Sequence, residues 1–274
     1  MQLINGTVTC RGALLFARSR DADINDSIDS TRLRGTPDVF VVVAGDVADA
    51  VDLIFRHFGA SMTQHVAPSD LELAALISSK ICHDVIGPVG AIYNGLEILD
   101  EDNNLEAKTY AMDVIRNVTE QASAKLQFAR FAFGAAGSAG STIDLTTAET
   151  ISRGYIGQGK HKLVWKCVPG HMTKDLVKLL LNMLASAITA LPRGGEIEVI
   201  LTGSMEAPTF RLHCRGDRAR PPQHLGEFLN GPQPPLDAMT IQAYYTCRLA
   251  TTAMMRINIE QAPDGIVLAA YPLS

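Results

Sequence analysis

The sequence predicts an α+β protein in which a long helical hairpin precedes a segment of alternating strands and helices. The first observation is a helical spacing of apolar residues in two neighbouring stretches, 70–99 and 105–133, which only a short polar connection separates. The second is the run of small residues GAAGSAGS at 134–141, a composition typical of a flexible linker. Strand-like and helix-like patterns then alternate to the end of the chain.

These boundaries predict three segments, residues 1–61, 62–136 and 142–274. The second segment is the helical hairpin, and the third is the α/β domain. Within the first segment, residues 38–59 have the pattern of a strand followed by a helix. Because Met62 shortly precedes the start of the first hairpin helix, we expect residues 1–61 to be an extension from an upstream start codon that is peripheral to function.

The first hairpin helix has a clear start signal. Ser69 and Glu72 stand in the S-x-x-E order of a capping box, and Pro68 lies just outside it. An apolar stripe then recurs at steps of three and four residues, at Ile77, Ile81, Val85, Pro88, Ile92, Leu96 and Leu99.

The second hairpin helix carries a matching stripe and ends near Gly134. The stripe consists of Ala111, Ile115, Val118, Ala122, Leu126, Ala129 and Phe133. Because the connection at 100–104 is short, we expect the two helices to pack antiparallel. One hairpin alone cannot bury such stripes on both sides, whereas two copies can do so in a four-helix bundle. We therefore expect a homodimer.

The composition excludes several classes of partner. The net charge of −5 gives no electrostatic reason to bind nucleic acid or an anionic membrane. No apolar run reaches the roughly 18 residues of a membrane helix. The five cysteines are far apart, with no CxxC pair and no metal-ligand spacing. Reduced thiols and a cytoplasmic location are therefore expected.

His83 is predicted to lie on the outer face of the first helix. It follows Ile81 by two residues, a rotation of about 200° away from the apolar stripe. A glycine inside a helix costs about 1 kcal/mol, and a proline removes a hydrogen bond. These costs are explained if a partner protein must approach His83 closely; the alternative that the pattern leaves open is a solvated histidine in an irregular helix. The other residues predicted on this partner-binding face are Ser79, Lys80, Ile86, Gly87, Gly90 and Asn94.

The stretch HDVIGPVGAIYNGLEIL at 83–99 resembles the phosphoacceptor motif of two-component histidine kinases. In that motif an acidic residue follows the histidine, a proline stands five positions after it and an aliphatic residue nine positions after it. Here these residues are His83, Asp84, Pro88 and Ile92. The chain departs from the motif at positions 86 and 87, where kinases usually carry a basic residue and then Thr or Asn.

The C-terminal segment is similar in its order of elements to the ATP-binding domain of these kinases, an α/β sandwich. The expected strands lie at 162–168, 196–203, 209–216, 256–262 and 265–272, and the expected helices at 172–192 and 237–255. A proline-rich stretch separates the third strand from the second helix.

The residues that bind nucleotide in these kinases are missing from this chain. Ser186 stands where a kinase has its magnesium-binding Asn, and Thr189 replaces the usual lysine. The segment RGDRARPP at 215–222 lacks the glycines of the kinase Asp-x-Gly-x-Gly turn. The segment at 236–250 has no glycine to let backbone amides approach phosphates. We expect a degenerate kinase ATPase-like domain that does not bind ATP.

A kinase-like chain with a phosphoacceptor histidine and a degenerate nucleotide site is similar to the ChpT-type histidine phosphotransferases of alphaproteobacteria. The resemblance covers residues 65–274 and includes LQFARFAFGA at 126–135. It implies that His83 accepts a phosphoryl group from the receiver aspartate of a CckA-type hybrid histidine kinase. It also implies transfer to receivers of cell-cycle response regulators of the CtrA and CpdR type. No cofactor is expected in this chain, since the receiver carboxylates supply the oxygen ligands that Mg²⁺ prefers.

The chemistry of phosphoryl transfer suggests roles for two neighbours of His83. Because the attacking nitrogen must be unprotonated, Asp84 is expected to hold the proton on the other nitrogen and to stabilise the cationic phosphohistidine. Lys80, one turn before His83, either meets the phosphoryl group or an acidic receiver, or is simply solvated.

Three other functions are compatible with parts of the sequence. The first is a dimeric adaptor that binds receivers without transfer, which is favoured if His83 proves dispensable. The second is an ATP-dependent sensor kinase, which needs the missing nucleotide motifs. The third is a metal or thiol enzyme that uses Cys82 and His83, although adjacent helical residues diverge and no third ligand is visible.

Overall fold

The computed structural model describes residues 67–101, 104–134, 141–157, 159–231 and 233–273, together with the backbone of three short N-terminal strands. These strands pair antiparallel in chain order and are β1 (Leu3–Ile4), β2 (Thr7–Cys10) and β3 (Ala13–Phe16). The chain divides into two compact units, Met1–Ala67 and Pro68–Ser274. The strand and helix predicted within 38–59 lie outside the described residues, as does most of the predicted linker.

Two long helices, α1 (Asp70–Glu101) and α2 (Leu105–Ala132), pack against each other as a hairpin. The predicted capping box begins α1: the Ser69 N–H donates to Glu72 Oε2 at 2.8 Å, and the Glu72 N–H donates to Ser69 Oγ at 3.3 Å. The Ser69 backbone N–H, and then its hydroxyl, donate to the Glu72 carboxylate and lower the pKa of that carboxyl. At the start of α2, the Asn104 side chain accepts a backbone N–H of the first turn. Both predicted helices are confirmed.

The remaining elements form a sheet with helices packed against it. In chain order these elements are β4 (Thr142–Asp144), α3 (Leu145–Ile156), β5 (His161–Lys166), β6 (His171–Thr173), α4 (Lys174–Ala190), β7 (Gly195–Gly203), β8 (Pro208–Arg215), α5 (Gln223–Asn230), α6 (Ile241–Thr252), β9 (Met255–Ala262) and β10 (Gly265–Pro272). Five of the strands make a mixed sheet in the order β5-β7-β8-β10-β9, in which only β5 and β7 are parallel. Strand β4 pairs with β6.

The predicted strands of the five-stranded sheet and the helices α4 and α6 are all present, with ends shifted by a few residues. The sequence patterns do not predict β4, α3, β6 or α5. Helix α5 lies inside the proline-rich stretch, and Pro222 occupies its N-cap position. A proline is tolerated at a helix start because the first backbone N–H groups have no partner within the helix.

Helix α4 lies at the centre of the core. Val177, Leu179, Leu181 and Met183 are all fully buried, because the helix is apolar on almost every side. The same buried cluster includes Phe210, Leu212 and Leu268 of the sheet, and also Phe128 and Ala132 of α2. The core is therefore continuous from the end of the hairpin into the sheet.

Specific contacts reinforce this continuity. The Asn182 amide donates to the carbonyl of Ala132 at 3.0 Å and to that of Lys178 at 2.9 Å. The ring of Phe128 stacks on Tyr155 of α3, with 3.7 Å between ring centroids. The hairpin and the α/β layer thus belong to one compact unit, although the sequence predicts a boundary near the linker.

The Gly-Gly pair before β7 is required by its backbone. Gly194 and Gly195 have φ angles of +91° and +142°, and a Cβ atom on them would lie 2.3 Å from the Lys160 oxygen and 2.2 Å from the Arg215 oxygen. Only glycine combines this conformation with so close an approach.

The hairpin has a second apolar face that the chain leaves exposed. On α1 this face carries Ile86, Val89, Tyr93 and Leu96, exposed by 71, 53, 62 and 48%. Leu96 belongs to the predicted apolar stripe of α1 and Leu126 to that of α2, yet both are half exposed. The segment Asp70–Asp100 has a mean hydropathy of 1.2 and is long enough for a membrane span, which alone is weak evidence for one. Apolar residues on two faces also raise the mean hydropathy of a bundle helix.

Candidate functional site

Three charged or ionisable side chains meet near the middle of α1. The Lys80 ammonium donates to both carboxylate oxygens of Asp84 at 2.5 Å. Residues four apart lie on the same helix face, which explains this pairing. Asp84 Oδ1 in turn lies 3.6 Å from Nδ1 of His83. That separation is too long for a hydrogen bond, but it makes Nδ1 the ring nitrogen that lies near the carboxylate.

A lysine from the second helix completes this cluster. The Lys125 ammonium donates to the backbone carbonyl of Asp84 at 3.2 Å. Lys80, Lys125 and Asp84 therefore form a connected group beside His83, with two positive charges and one negative charge.

A cavity of about 330 Å³ opens beside His83, between the hairpin and the α/β layer. The hairpin contributes Lys80, Asp84 and Lys125 to its lining, and the α/β layer contributes Arg220 and Ser186. Three cationic side chains face one carboxylate among these residues. The cavity therefore attracts anions.

Tyr155 lines the same cavity from α3. Burial, and then the negative charge of Asp84, raise the pKa of its hydroxyl to about 12. Tyr155 is thus a neutral phenol at physiological pH.

The predicted outer face is open around His83. The imidazole is 58% exposed, and Ser79, Ile86 and Asn94 are exposed beside it. A Cβ atom placed on Gly87 or Gly90 would meet nothing within 4 Å, so the packing of this chain does not require either glycine. Lys80 differs from its predicted neighbours, because its side chain is only 17% exposed and is engaged by Asp84.

The positions that correspond to kinase nucleotide ligands are used internally. Ser186 is buried, and its hydroxyl donates to the Asn182 carbonyl at 3.1 Å. The Thr189 hydroxyl donates to the Ser186 carbonyl at 2.8 Å. Asp217 pairs with Arg193 at 2.9 Å. Each of these polar groups thus has a hydrogen-bond or ion-pair partner within the chain.

Several residues of the cavity have no signal in the sequence patterns. Lys125, Tyr155, Arg220 and His224 reach it from three separate parts of the chain. Cys82, next to His83, is an exposed free thiol. Among the described residues, no group of three His, Cys, Asp or Glu side chains is placed to hold a metal ion.

Comparison with known proteins identifies the family. The model of the histidine phosphotransferase C-terminal domain matches residues 145–265. Protein phosphotransferase ChpT of Brucella abortus (strain 2308) is 44% identical over 211 residues, which are 76% of this chain and 100% of that protein. A bacterial phosphotransferase of known structure is 42% identical and has a TM-score of 0.70, with coverage of 75% of this chain and 98% of that one.

The predicted α+β fold is therefore confirmed: a helical hairpin is followed by an α/β sheet domain, and the chain shares this fold with the bacterial phosphotransferase of known structure. The identity over the whole length of a curated phosphotransferase extends through both parts of this architecture. By sequence and by fold, the chain belongs to the ChpT family of histidine phosphotransferases.

Proposed function

We propose that this protein is the histidine phosphotransfer intermediate of a bacterial phosphorelay, with His83 as the phosphoacceptor. The observation that carries the proposal is the exposed His83 imidazole on a helix face free of other packing, with its Nδ1 turned toward Asp84. In a phosphotransferase family, this geometry fits a nucleophile that a partner protein approaches from outside.

The transfer proceeds between His83 and the aspartyl phosphate of a receiver domain. The lone pair of Nε2 attacks phosphorus, the P–N bond forms, and the P–O bond to the receiver aspartate breaks with its electron pair going to the released carboxylate. Nδ1 keeps its proton, so the phosphorylated ring carries a positive charge that Asp84 stabilises. The reverse sequence delivers the phosphoryl group to a second receiver.

The protein contributes mainly positioning and charge to such a reaction. Arg220 brings positive charge to the cavity beside His83, where the three phosphoryl oxygens carry negative charge. Mg²⁺ belongs to the receiver in this proposal, because its acidic pocket supplies carboxylate ligands.

ATP takes no part in the proposed reaction. Ser186 and Thr189 direct their hydroxyls to carbonyls of α4, and Arg220 lies in the segment where the kinase turn has glycine. These features support a domain that has lost nucleotide binding and serves as part of the partner-binding surface.

We also propose that the protein is a homodimer. Val89, Tyr93 and Leu96 form one side of α1 that α2 does not cover. A second hairpin would bury these side chains in a four-helix bundle, which is the arrangement that gives a lone hairpin a complete core.

The partners follow from the family resemblance. A CckA-type hybrid kinase is the proposed donor, CtrA- and CpdR-type regulators of the cell cycle are the proposed acceptors, and the cytoplasm is the proposed compartment. No nucleic acid or membrane partner is proposed.

The test is to incubate the purified protein with a receiver domain carrying labelled aspartyl phosphate, without ATP. Label should appear on the wild-type protein and on His171→Gln, a control that removes an exposed histidine of β6. His83→Gln should bind the receiver but take up no label. Transfer by His83→Gln, or binding without transfer by the wild type, would contradict the proposal; the second outcome would identify an adaptor.

A further inference from the structure

Pro88 leaves one backbone acceptor of α1 without its helical partner. In an α-helix the carbonyl of residue 84 accepts the N–H of residue 88. Proline has no N–H, so the Asp84 carbonyl is free although it lies well inside the helix. A partly buried carbonyl needs another donor.

Lys125 of α2 supplies that donor. Its ammonium lies 3.2 Å from the backbone carbonyl oxygen of Asp84, across the hairpin. Because Pro88 leaves the Asp84 carbonyl free, a positively charged side chain of α2 can bind next to His83.

Lys80 binds the side chain of the same residue. Its ammonium contacts both carboxylate oxygens of Asp84, and both side chains are partly buried, which limits screening by water. The Asp84 rotamer is thus fixed at its carboxylate by Lys80, while its backbone is fixed by Lys125. The carboxylate oxygen that remains near His83 has little freedom to rotate toward solvent.

We propose that Lys80 and Lys125 are positioning residues for phosphotransfer, which together hold the Asp84 carboxylate against Nδ1 of His83. This inference rests on the proposed function of His83. The fixed carboxylate, 3.6 Å from Nδ1, favours a proton on that nitrogen through its negative charge, which leaves Nε2 as the unprotonated nitrogen. The lysines act through Asp84 and need not contact the receiver.

The experiment compares Lys80→Met and Lys125→Met with the charge-preserving variants Lys80→Arg and Lys125→Arg. Each single Met variant should lower the single-turnover transfer rate about tenfold, and the double variant should approach the hundredfold loss expected when reacting groups are misplaced by about 1 Å. Receiver affinity should stay within about twofold, since neither lysine forms the open face. The Arg variants should recover most of the rate.

Nitrogen-15 NMR of ring-labelled His83 gives a readout that loss of stability alone does not move. The fraction of imidazole protonated at Nδ1 should fall in both Met variants and return in the Arg variants. Arg116→Met is the matched control, because it removes another ion pair of the hairpin, that with Asp113. Its rate and its His83 spectrum should equal those of the wild type.

Wild-type rates and an unchanged ring spectrum in folded Lys80→Met and Lys125→Met would overturn the inference. If only one Met variant folds, its spectrum and rate decide alone. Failure of the proposed function would give a different result: His83→Gln would still take up the phosphoryl group, whatever the rates of the lysine variants.

Discussion

Replacing Gly90 with alanine should stabilise the hairpin, whereas the same replacement at Gly95, five residues further along α1, should destabilise it. A Cβ atom on Gly90 meets nothing within 4 Å. A Cβ atom on Gly95 would lie 2.7 Å from Cγ1 and 3.1 Å from Cδ1 of Ile115 on α2. The two glycines therefore have opposite roles: Gly95 allows the helices of this chain to approach, and Gly90 does not.

The expected magnitudes follow from helix propensity and packing. Alanine is favoured over glycine in a helix interior by about 1 kcal/mol, and this gain applies fully at Gly90. At Gly95 the same gain is opposed by an overpacking cost of about 1–3 kcal/mol. For a protein of this size, 1 kcal/mol corresponds to a change of roughly 2–4 °C in Tm. Gly90→Ala should raise Tm by that amount, and Gly95→Ala should leave it lower than the wild type by up to twice as much.

Thermal and urea unfolding measure the change in stability of both variants. Because the stability of a dimer depends on protein concentration, all measurements use one concentration. The double variant Gly95→Ala with Ile115→Ala should lose less stability than the sum of the two single changes, because it removes the clash. Equal stabilisation by Gly90→Ala and Gly95→Ala would refute the packing argument. Destabilisation by Gly90→Ala in the monomer would show that its surroundings are not open.

A large side chain at Gly90 should change stability and phosphotransfer in opposite directions. Gly90→Leu should keep a stability gain of the alanine kind, since leucine is also a good helix former. It should weaken receiver docking and slow phosphotransfer, because a large side chain would stand between the two reacting centres. Normal docking and transfer by this variant would mean that the open glycine face serves no partner.

Three further outcomes are expected. Isothermal titration with Mg-ATP should give no micromolar binding, and labelled ATP alone should leave His83 unlabelled; label on His83 would show a kinase. Tyr93→Asp should convert a dimer to a monomer in light scattering, because a charge would be buried in the proposed bundle; an unchanged mass would place the interface elsewhere. Asn182→Ala should lower the free energy of unfolding in urea by about 1–3 kcal/mol, because the buried Ala132 carbonyl loses its donor; a change within error would mean that another group replaces it.

The hairpin could be predicted because its signals are local. The capping box of Ser69 and Glu72 and the three-to-four-residue spacing of apolar side chains depend only on neighbours along the chain. Helix α5 could not be predicted, for the opposite reason. Helix α5 has few residues and follows two prolines, so tertiary packing of Leu225 rather than local propensity accounts for it.

The sequence could single out His83, the proposed phosphoacceptor, but not the side chains that surround it. His83 and Asp84 stand in a motif, and their position on α1 follows from helical periodicity. Lys125 reaches Asp84 across the hairpin, a contact that depends on the register of two helices and that no spacing encodes. A partial signal did exist, since Pro88 implies a free carbonyl at residue 84 that some donor must satisfy. Identifying which donor required the structure.

The core that runs from α2 into the sheet has a consequence for recognition. Because Phe128, Ala132 and α4 share one buried cluster, the face around His83 and the wall of the cavity are held in a fixed relation before any partner arrives. A docking receiver then meets a preorganised surface and loses little free energy to the ordering of this chain. Under the proposed function, discrimination between receivers can reside in exposed wall residues such as Arg220 and Met239, while His83 accepts the phosphoryl group from all of them. The α/β domain would then distinguish one receiver protein from another.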